Sequence, residues 1–281
     1  MMYARNYEKV QLEDYYEDIL VKAMRGLNIG KIEISKKTDF EKSDIETVLS
    51  GEPNCEVISA MASALKLHAP ALQASASNKW FPRPQCISSC RQFNLPLGSM
   101  RVNSYLVWDQ GSREAWLFDT GPDAYPIHEF IEAENLLVSS VFLTHTHQDH
   151  ITCLSELLPV IGNPEVFVHE SEPIPSANLI REDFEAKLGT LNLRCYHTHG
   201  HSIGGMTYVV NGLDKQVAVV GDALFAGSMG GGMVSYADAL RTNREKIMSL
   251  PDETVLCPGH GPMTTVGEEK KHNPFFPEFK S

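Results

Sequence analysis

The stretch Thr144-His145-Thr146-His147-Gln148-Asp149-His150 decides how the rest of the chain is interpreted. It follows a short apolar run at 141–143, which is typical of a buried strand. Side chains two positions apart in an extended segment point to the same side, so His145 and His147 can face one ion. Asp149 and His150 open the predicted helix 150–160, where a turn would direct them to a second ion. Clustered His and Asp side chains are typical of metal sites, and we predict that these four bind metal.

Three further candidate ligands, His201, Asp222 and His260, each come directly after a predicted strand. The three strands are 191–196, 216–220 and 254–257. The 144–150 stretch also follows a strand at its carboxyl end. Four strands that deliver imidazole and carboxylate ligands at the same kind of end would build one shared site. We therefore add these three residues to the predicted metal ligands.

Composition excludes several classes of protein. The 281 residues are 42% hydrophobic and 21% charged, which is ordinary for a soluble globular chain. The 24 Lys and Arg against 36 Asp and Glu give a net charge of −12, so we do not expect nucleic acid as a partner. No apolar run reaches the roughly 18 residues of a membrane span, and the first twenty residues lack the apolar core of a signal peptide. We expect a cytoplasmic protein without membrane contact.

The chain changes character near residue 80. Residues 1–75 contain helical patterns at 29–37, 41–50 and 55–66, with a predicted turn at Gly51 and a predicted N-cap at Asn54. These short helices resemble a helix-turn-helix domain of the phage-repressor type. Residues 76–90 are predicted as a linker, and 91–281 as an α/β domain in which short strands alternate with helices 125–134, 150–160 and 235–249.

The charge of the helical segment bears on its role. Residues 1–75 hold nine Lys and Arg and twelve Asp and Glu, and the expected recognition segment 41–50 contains three acidic residues and one lysine. Phosphate contacts need cationic side chains or free backbone N–H groups. We therefore favour a helical module that packs on the second domain or on a second copy of the chain. A DNA-binding regulator with a ligand-sensing second domain is the alternative.

The motif His-x-His-x-Asp-His and its downstream His, Asp and His resemble the metallo-β-lactamase superfamily, over about residues 92–276. The segments 103–105 and 119–121 also resemble early strand motifs of that family. The resemblance implies an αββα sandwich with the site at one edge of two sheets. It implies two divalent transition-metal ions, with zinc expected first and iron or manganese as alternatives. It also implies that one ion takes His145, His147 and His201, and that the other takes Asp149, His150 and His260, with Asp222 and a water bridging them.

Two further stretches indicate which branch of the superfamily the chain resembles. Residues 221–228 and 258–265 look most like the compact glyoxalase II-like hydrolases. The sequence departs from that pattern at His199, at Ser202 and at 230–232. About 20 residues follow His260, so we expect no helical glutathione-binding domain of the kind found in full-length glyoxalase II.

The predicted function is a two-metal hydrolase of a small acyl compound, most simply a thioester. The resemblance implies attack by a metal-bound hydroxide, with Asp149 and Asp222 as the catalytic residues that orient it. No general acid is evident in the motif set, and a thiolate leaves without being protonated, whereas an amine must gain a proton. A lactonase and a persulfide dioxygenase with a single iron are the alternatives on the same fold.

Several other polar residues have weaker claims to a role. Arg241, Arg244 and Lys246 on the helix 235–249 could meet a substrate carboxylate, and Tyr236 could line the pocket. The commoner explanation for the three cations is a solvated helix face. His197 and His199 could support a metal ligand, but ordinary packing or surface positions are commoner for histidine.

Overall fold

The computed structural model describes residues 9–280. Residues 1–8 and 281 lie outside the described residues. They include the start of the predicted unit 1–75, part of the N-terminus predicted to lack a signal peptide, and the last residue of the predicted unit 91–281. Within 9–280, every helix is too short or too polar to cross a bilayer.

Five helices precede the first strand. They are α1 (Tyr16–Gly26), α2 (Lys31–Thr38), α3 (Lys42–Leu49), α4 (Cys55–Ala64) and α5 (Ala69–Ala76). The turn predicted at Gly51 has φ +95°, and the side chain of Asn54 accepts hydrogen bonds from the N–H groups of Glu56 and Val57. These local signals end α3 and begin α4. Residues 77–89, within the predicted linker, contain neither helix nor strand.

The first sheet follows chain order. Its strands are β1 (Cys90–Leu97), β2 (Met100–Trp108), β3 (Glu114–Phe118), β4 (Leu137–Phe142), β5 (Glu165–His169) and β6 (Asn178–Ile180). β1 to β3 are antiparallel, and β3 to β6 are parallel.

The second sheet also places consecutive strands side by side. Its strands are β7 (Glu185–Leu188), β8 (Leu191–His197), β9 (Met206–Asn211), β10 (Val217–Gly221), β11 (Val255–Pro258) and β12 (Thr264–Thr265). Only β10 and β11 are parallel to each other; the other neighbours are antiparallel. Each strand predicted before a candidate ligand exists, with ends shifted by at most four residues.

Five helices accompany the sheets: α6 (Tyr125–Glu134), α7 (Gln148–Ile151), α8 (Leu154–Val160), α9 (Tyr236–Thr242) and α10 (Val266–His272). Two predicted helices differ from the structure. The helix 150–160 is split into α7 and α8, because the N–H of Cys153 bonds the carbonyl of Gly121 instead of continuing the helical ladder. The helix 235–249 is α9 followed by the π-helical turn Asn243–Ile247, where the Asn243 amide donates to the Ala223 carbonyl.

The two sheets pack face to face around an aromatic core that includes Trp116, Phe142 and Tyr208. Helices α6 and α8 cover the outer face of the first sheet. Helices α1 to α5 and α9 cover the second sheet, and Ile19, Leu20 and Met61 share one hydrophobic cluster with Val220 and Leu256 of that sheet. Burying these faces drives the layered arrangement. The predicted αββα sandwich with a helical N-terminal region is confirmed.

Candidate metal centre

The seven predicted ligands converge at one edge of the sandwich, beyond the carboxyl ends of four strands. His145, His147, Asp149 and His150 follow β4, and the others follow β8, β10 and β11. Three overlapping groups of donors each lie within 4.8 Å of one another. They are His145, His147 and His201; His145, His150 and Asp222; and Asp149, His150 and His260.

The first group consists of three imidazoles. His147 Nδ1 lies 3.0 Å from His145 Nε2 and 3.0 Å from His201 Nε2. His145 and His147 therefore direct their rings to one point, and His147 has an extended backbone (φ −62°, ψ 144°). Three neutral imidazoles are a common ligand set for zinc and other divalent transition metals.

The third of these groups, Asp149, His150 and His260, combines imidazole with carboxylate. Asp149 Oδ2 lies 3.5 Å from His150 Nε2 and 3.3 Å from His260 Nε2. Asp222 lies between the first and the third group. Its Oδ2 lies 3.4 Å from both His201 Nε2 and His260 Nε2. Its Oδ1 lies 3.3 Å from His150 Nε2. A carboxylate so placed can contact two ions.

Two buried atoms test whether the donors suit metal ions. His150 Nε2 and Asp222 Oδ1 have no hydrogen-bond partner although both are buried. A buried polar atom without a partner is costly, and a divalent cation would satisfy both atoms at once. The residues present therefore fit the metal ions that the donor set implies.

Each histidine except His147 is held by the ring nitrogen that faces away from the cluster. Nδ1 lies near Thr144 Oγ1 at 3.0 Å for His145, near Asp119 Oδ2 at 2.9 Å for His150, near the Gly231 carbonyl at 3.0 Å for His201, and near the Arg101 carbonyl at 2.8 Å for His260. Such contacts fix the ring and leave Nε2 for a metal.

Glycine is required beside the cluster for space. A Cβ on Gly259 would lie 2.1 Å from Asp222 Oδ1 and 2.7 Å from His150 Cε1, and a Cβ on Gly230 would lie 1.9 Å from the Asp222 carbonyl oxygen. Any side chain at these positions would displace Asp222. Gly259, directly before the predicted ligand His260, is thus demanded by the positions of the ligands.

Burial and charge divide the histidines into two kinds. Burial holds the pKa of His145 well below its usual value and lowers the pKa of His201, so both are neutral and ready to bind a cation. Burial also opposes charge on His150 and His260, but the surrounding carboxylates together outweigh it and raise their pKa to about 10 and about 11. Asp222 acts on both rings, together with Asp119 on His150 and with Asp149 and Glu13 on His260. The acidic side of the cluster thus attracts positive charge, which metal ions supply in exchange for protons.

Asp119 lies in the segment 119–121 that resembles a strand motif of the family, and no role was predicted for it. It is buried, with φ +55°, and accepts hydrogen bonds from Thr144 N–H at 2.7 Å and Thr144 Oγ1 at 2.7 Å. The same carboxylate contacts His150 Nδ1 at 2.9 Å. One residue therefore orders both ends of the 144–150 stretch.

Glu172 was missed because it lies in a loop far from any recognised motif. Its Oε2 accepts hydrogen bonds from Thr146 N–H at 2.8 Å and Thr146 Oγ1 at 3.0 Å. Its Oε1 accepts from Gly204 N–H at 2.7 Å and from the hydroxyl of Ser202. Burial would raise the pKa of Glu172, but these hydrogen bonds lower it. The carboxylate ties the loop of His145 and His147 to the loop of His201.

The weaker candidates do not reach the cluster. Arg241 pairs with Asp238 and Glu245, Arg244 with Glu278, and Lys246 with Glu182. Tyr236 is held by packing against Phe275. His197 stacks between His169 and His199, and its Nε2 lies 2.9 Å from the Ile203 carbonyl oxygen.

The layered fold and the clustered donors together define a class of metal-dependent sandwich proteins. The chain belongs to the metallo-beta-lactamase superfamily, whose family model matches residues 97–260.

Individual relatives share the second part of the chain. A probable metallo-hydrolase of Bacillus subtilis, YqgX, is 30% identical over 66% of this chain and 97% of its own length. The hydroxyacylglutathione hydrolase GloC of Haemophilus influenzae is 28% identical over 64% of this chain and 95% of its own. The structure of TTHA1623 in a di-iron-bound form matches with a TM-score of 0.54 and 26% identity, covering 65% of this chain and 99% of that one.

Proposed function

We propose that this chain is a two-metal hydrolase that cleaves thioesters of small acyl compounds. The observation that carries the proposal is the position of Asp222 between two donor groups, with contacts to His150, His201 and His260 at 3.3–3.4 Å. Two cations held by these residues would polarise a carbonyl and lower the pKa of a bound water to about 7. We expect zinc first. Iron is the alternative, because the similar protein TTHA1623 has been solved in a di-iron-bound form.

The proposed roles of the residues follow from their positions. The seven predicted ligands would hold the two ions. Asp149 and Asp222 would accept hydrogen bonds from the attacking water and orient it toward the carbonyl carbon. We assign the acyl end to the side of His145, His147 and His201, and the leaving group to the side of Asp149, His150 and His260.

Thioester cleavage is favoured over other acyl transfer by proton demand. In the described cluster, the carboxylates and histidines would all be bound to the ions. No further side chain of the cluster is left to donate a proton to a leaving amine. A thiol has a pKa of about 8.5 and departs as its anion. Similarity to a hydroxyacylglutathione hydrolase supports the same assignment.

A substrate panel on protein of known metal content tests the proposal. Thioesters, oxygen esters, lactones and a β-lactam with matched acyl groups would be compared at saturating concentration, with oxygen uptake followed in parallel on a persulfide. Two ions per chain and preferential thioester cleavage are expected. One iron with oxygen consumption would instead indicate the dioxygenase, and a lactone preference the lactonase.

We also propose that the helical N-terminal segment serves packing rather than DNA recognition. Its α3 helix begins after Glu41 and carries Asp44 and Glu46, and its apolar face lies in the cluster shared with the second sheet. A DNA mobility-shift assay at low ionic strength is expected to show no complex, because phosphate binding needs uncompensated positive charge.

A further inference from the structure

The loop that carries His260 belongs to the second sheet but is held by the first. This His260 loop comprises residues 258–261, which follow the end of β11 at Pro258. Gly261 has φ +75°, so the backbone there leaves the extended conformation of the strand. All four residues are buried, and their carbonyl oxygens therefore need hydrogen-bond donors. Three of these oxygens find donors on β1 and β2.

Asn103 on β2 supplies a donor to each of the three carbonyls. Its backbone N–H donates to the Gly259 carbonyl at 2.7 Å. Its side-chain amide donates to the carbonyls of Pro258 and Gly261, at 2.8 Å each. These two bonds use both hydrogens of the amide, and the amide oxygen accepts from Asn94 Nδ2 at 2.7 Å. One fully buried residue thus fixes the backbone before and after the predicted ligand.

Two neighbouring side chains complete this attachment. Tyr105 Oη donates to the Pro258 carbonyl at 2.8 Å, and Gln92 Nε2 donates to the Gly261 carbonyl at 3.1 Å. Each of these two carbonyls therefore has two donors, which occupy both of its lone pairs. The His260 loop is tied to the first sheet at both of its ends.

The same strand also holds the ring of His260. Its Nδ1 lies 2.8 Å from the carbonyl oxygen of Arg101, two residues before Asn103 on β2. Its Nε2 then lies 3.3 Å from Asp149 Oδ2 and 3.4 Å from Asp222 Oδ2. A ligand whose backbone and ring are both held in place presents its donor atom to an ion at little cost in ordering.

We propose that Asn103 is a positioning residue that sets the metal affinity of the third group of donors, which contains His260. It acts through the backbone of the His260 loop. The family-like strand motif at 103–105 then has a physical reason, because Asn103 and Tyr105 both donate to that loop. The proposal rests on the two-metal site of the proposed function and is independent of the substrate assigned to it.

The first group of donors has an attachment of its own. Glu172 connects its loops through Thr146 and Gly204, whereas Asn103 binds the His260 loop. Loss of the Asn103 amide should therefore weaken the binding of one ion and spare the other. A general loss of stability would weaken both together, so the two affinities distinguish positioning from a merely structural role.

The test measures zinc binding to the full-length protein by competition with a chromophoric chelator. The constant that is lost in His260→Ala belongs to the third group. Asn103→Leu has a similar size but no donor, and it is expected to raise this dissociation constant about 10–100-fold and to leave the other unchanged. Asn192→Leu, at an exposed position on β8, is the matched control and should change neither constant.

Tyr105→Phe applies the same test with a smaller disturbance of the core. It removes one hydroxyl from the Pro258 carbonyl and keeps the Asn103 amide, so a smaller rise in the same constant is expected. Unchanged constants in a folded Asn103→Leu, or an equal rise of both constants in Tyr105→Phe, would overturn the positioning role. A wild type with no ion at the third group would overturn the role and the two-metal site together. Two bound ions without thioester cleavage would overturn the reaction alone.

Discussion

Glu172 binds Thr146 through both its backbone N–H and its hydroxyl, at 2.8 and 3.0 Å, and Thr146 lies between two predicted metal ligands. The other carboxylate oxygen contacts Ser202 and Gly204 beside His201. The three imidazoles of the first group are therefore positioned by one side chain that is not itself among the predicted ligands.

Glu172→Ala is expected to weaken metal binding at the first group by about 10–100-fold, the usual effect of losing an outer hydrogen-bond partner. Competition with a chromophoric chelator measures the dissociation constant directly. Glu170→Ala is the matched control, because Glu170 pairs only with exposed Arg181 in the same loop region. Equal affinities for both variants would contradict the positioning role.

Asp222→Ala is expected to reduce the metal content from about two ions per chain to about one and to abolish most hydrolysis, because the shared carboxylate of a two-metal site is removed. Elemental analysis of the purified variant gives the stoichiometry. Asp252→Ala, at an exposed position, should retain both ions. Retention of two ions by Asp222→Ala would show that this residue does not bridge them.

The leaving group should control the rate. Thioesters are expected to react far faster than oxygen esters of the same acid, and β-lactams hardly at all, because the site offers no acid for an amine. His260→Ala should slow thioester turnover through the leaving-group side, with less effect on acyl-end binding. Steady-state kinetics with product inhibition by the free acid would measure both. Faster lactone than thioester hydrolysis at saturation would contradict this.

Stability should depend on pH through Glu269, which is remote from the metal cluster. Burial raises its pKa to about 7 from 4.5, despite hydrogen bonds from Thr264, Asn273 and Gly227. The folded state holds this proton more tightly than the unfolded state, so the free energy of unfolding falls as pH rises from about 4.5 to about 7 and then levels off. The side chain introduced by Glu269→Gln is neutral at every pH, so the variant does not lose this part of its free energy of unfolding as the pH rises.

At pH 8, Glu269→Gln is therefore expected to be about 1–3 kcal/mol more stable than the wild type, and at pH 4.5 about equal to it. Urea unfolding of metal-loaded protein at both pH values provides the comparison. Glu253→Gln changes the same charge at an exposed position and should shift neither value. A stability difference that is independent of pH would contradict the raised pKa.

The sequence predicted the convergence of seven side chains because its signals are local, whereas the sandwich was implied by the resemblance to a known family. His145 and His147 are two positions apart directly after a strand, and each downstream ligand follows a short apolar strand. These signals survive any uncertainty in where a helix or strand ends, since position after a strand is enough to place a residue at the sheet edge.

Glu172 escaped sequence analysis for a physical reason. It contacts residues 26 to 32 positions away, through hydrogen bonds that exist only after the loops are packed. Helix α7 ended early for a similar reason, because the Gly121 carbonyl captures the N–H of Cys153. Local pattern does not record hydrogen bonds made across the fold.

The hydrophobic cluster shared by Ile19 and Leu20 with Val220 and Leu256 has a thermodynamic consequence. The helices and the sheet beneath them bury apolar side chains in one cluster, so neither can lose its packing without exposing the other. The chain should then melt as one cooperative unit in a calorimeter. A destabilising substitution in the N-terminal helices should therefore lower the melting temperature of the whole folded unit, including the sheet whose strands precede three of the predicted ligands.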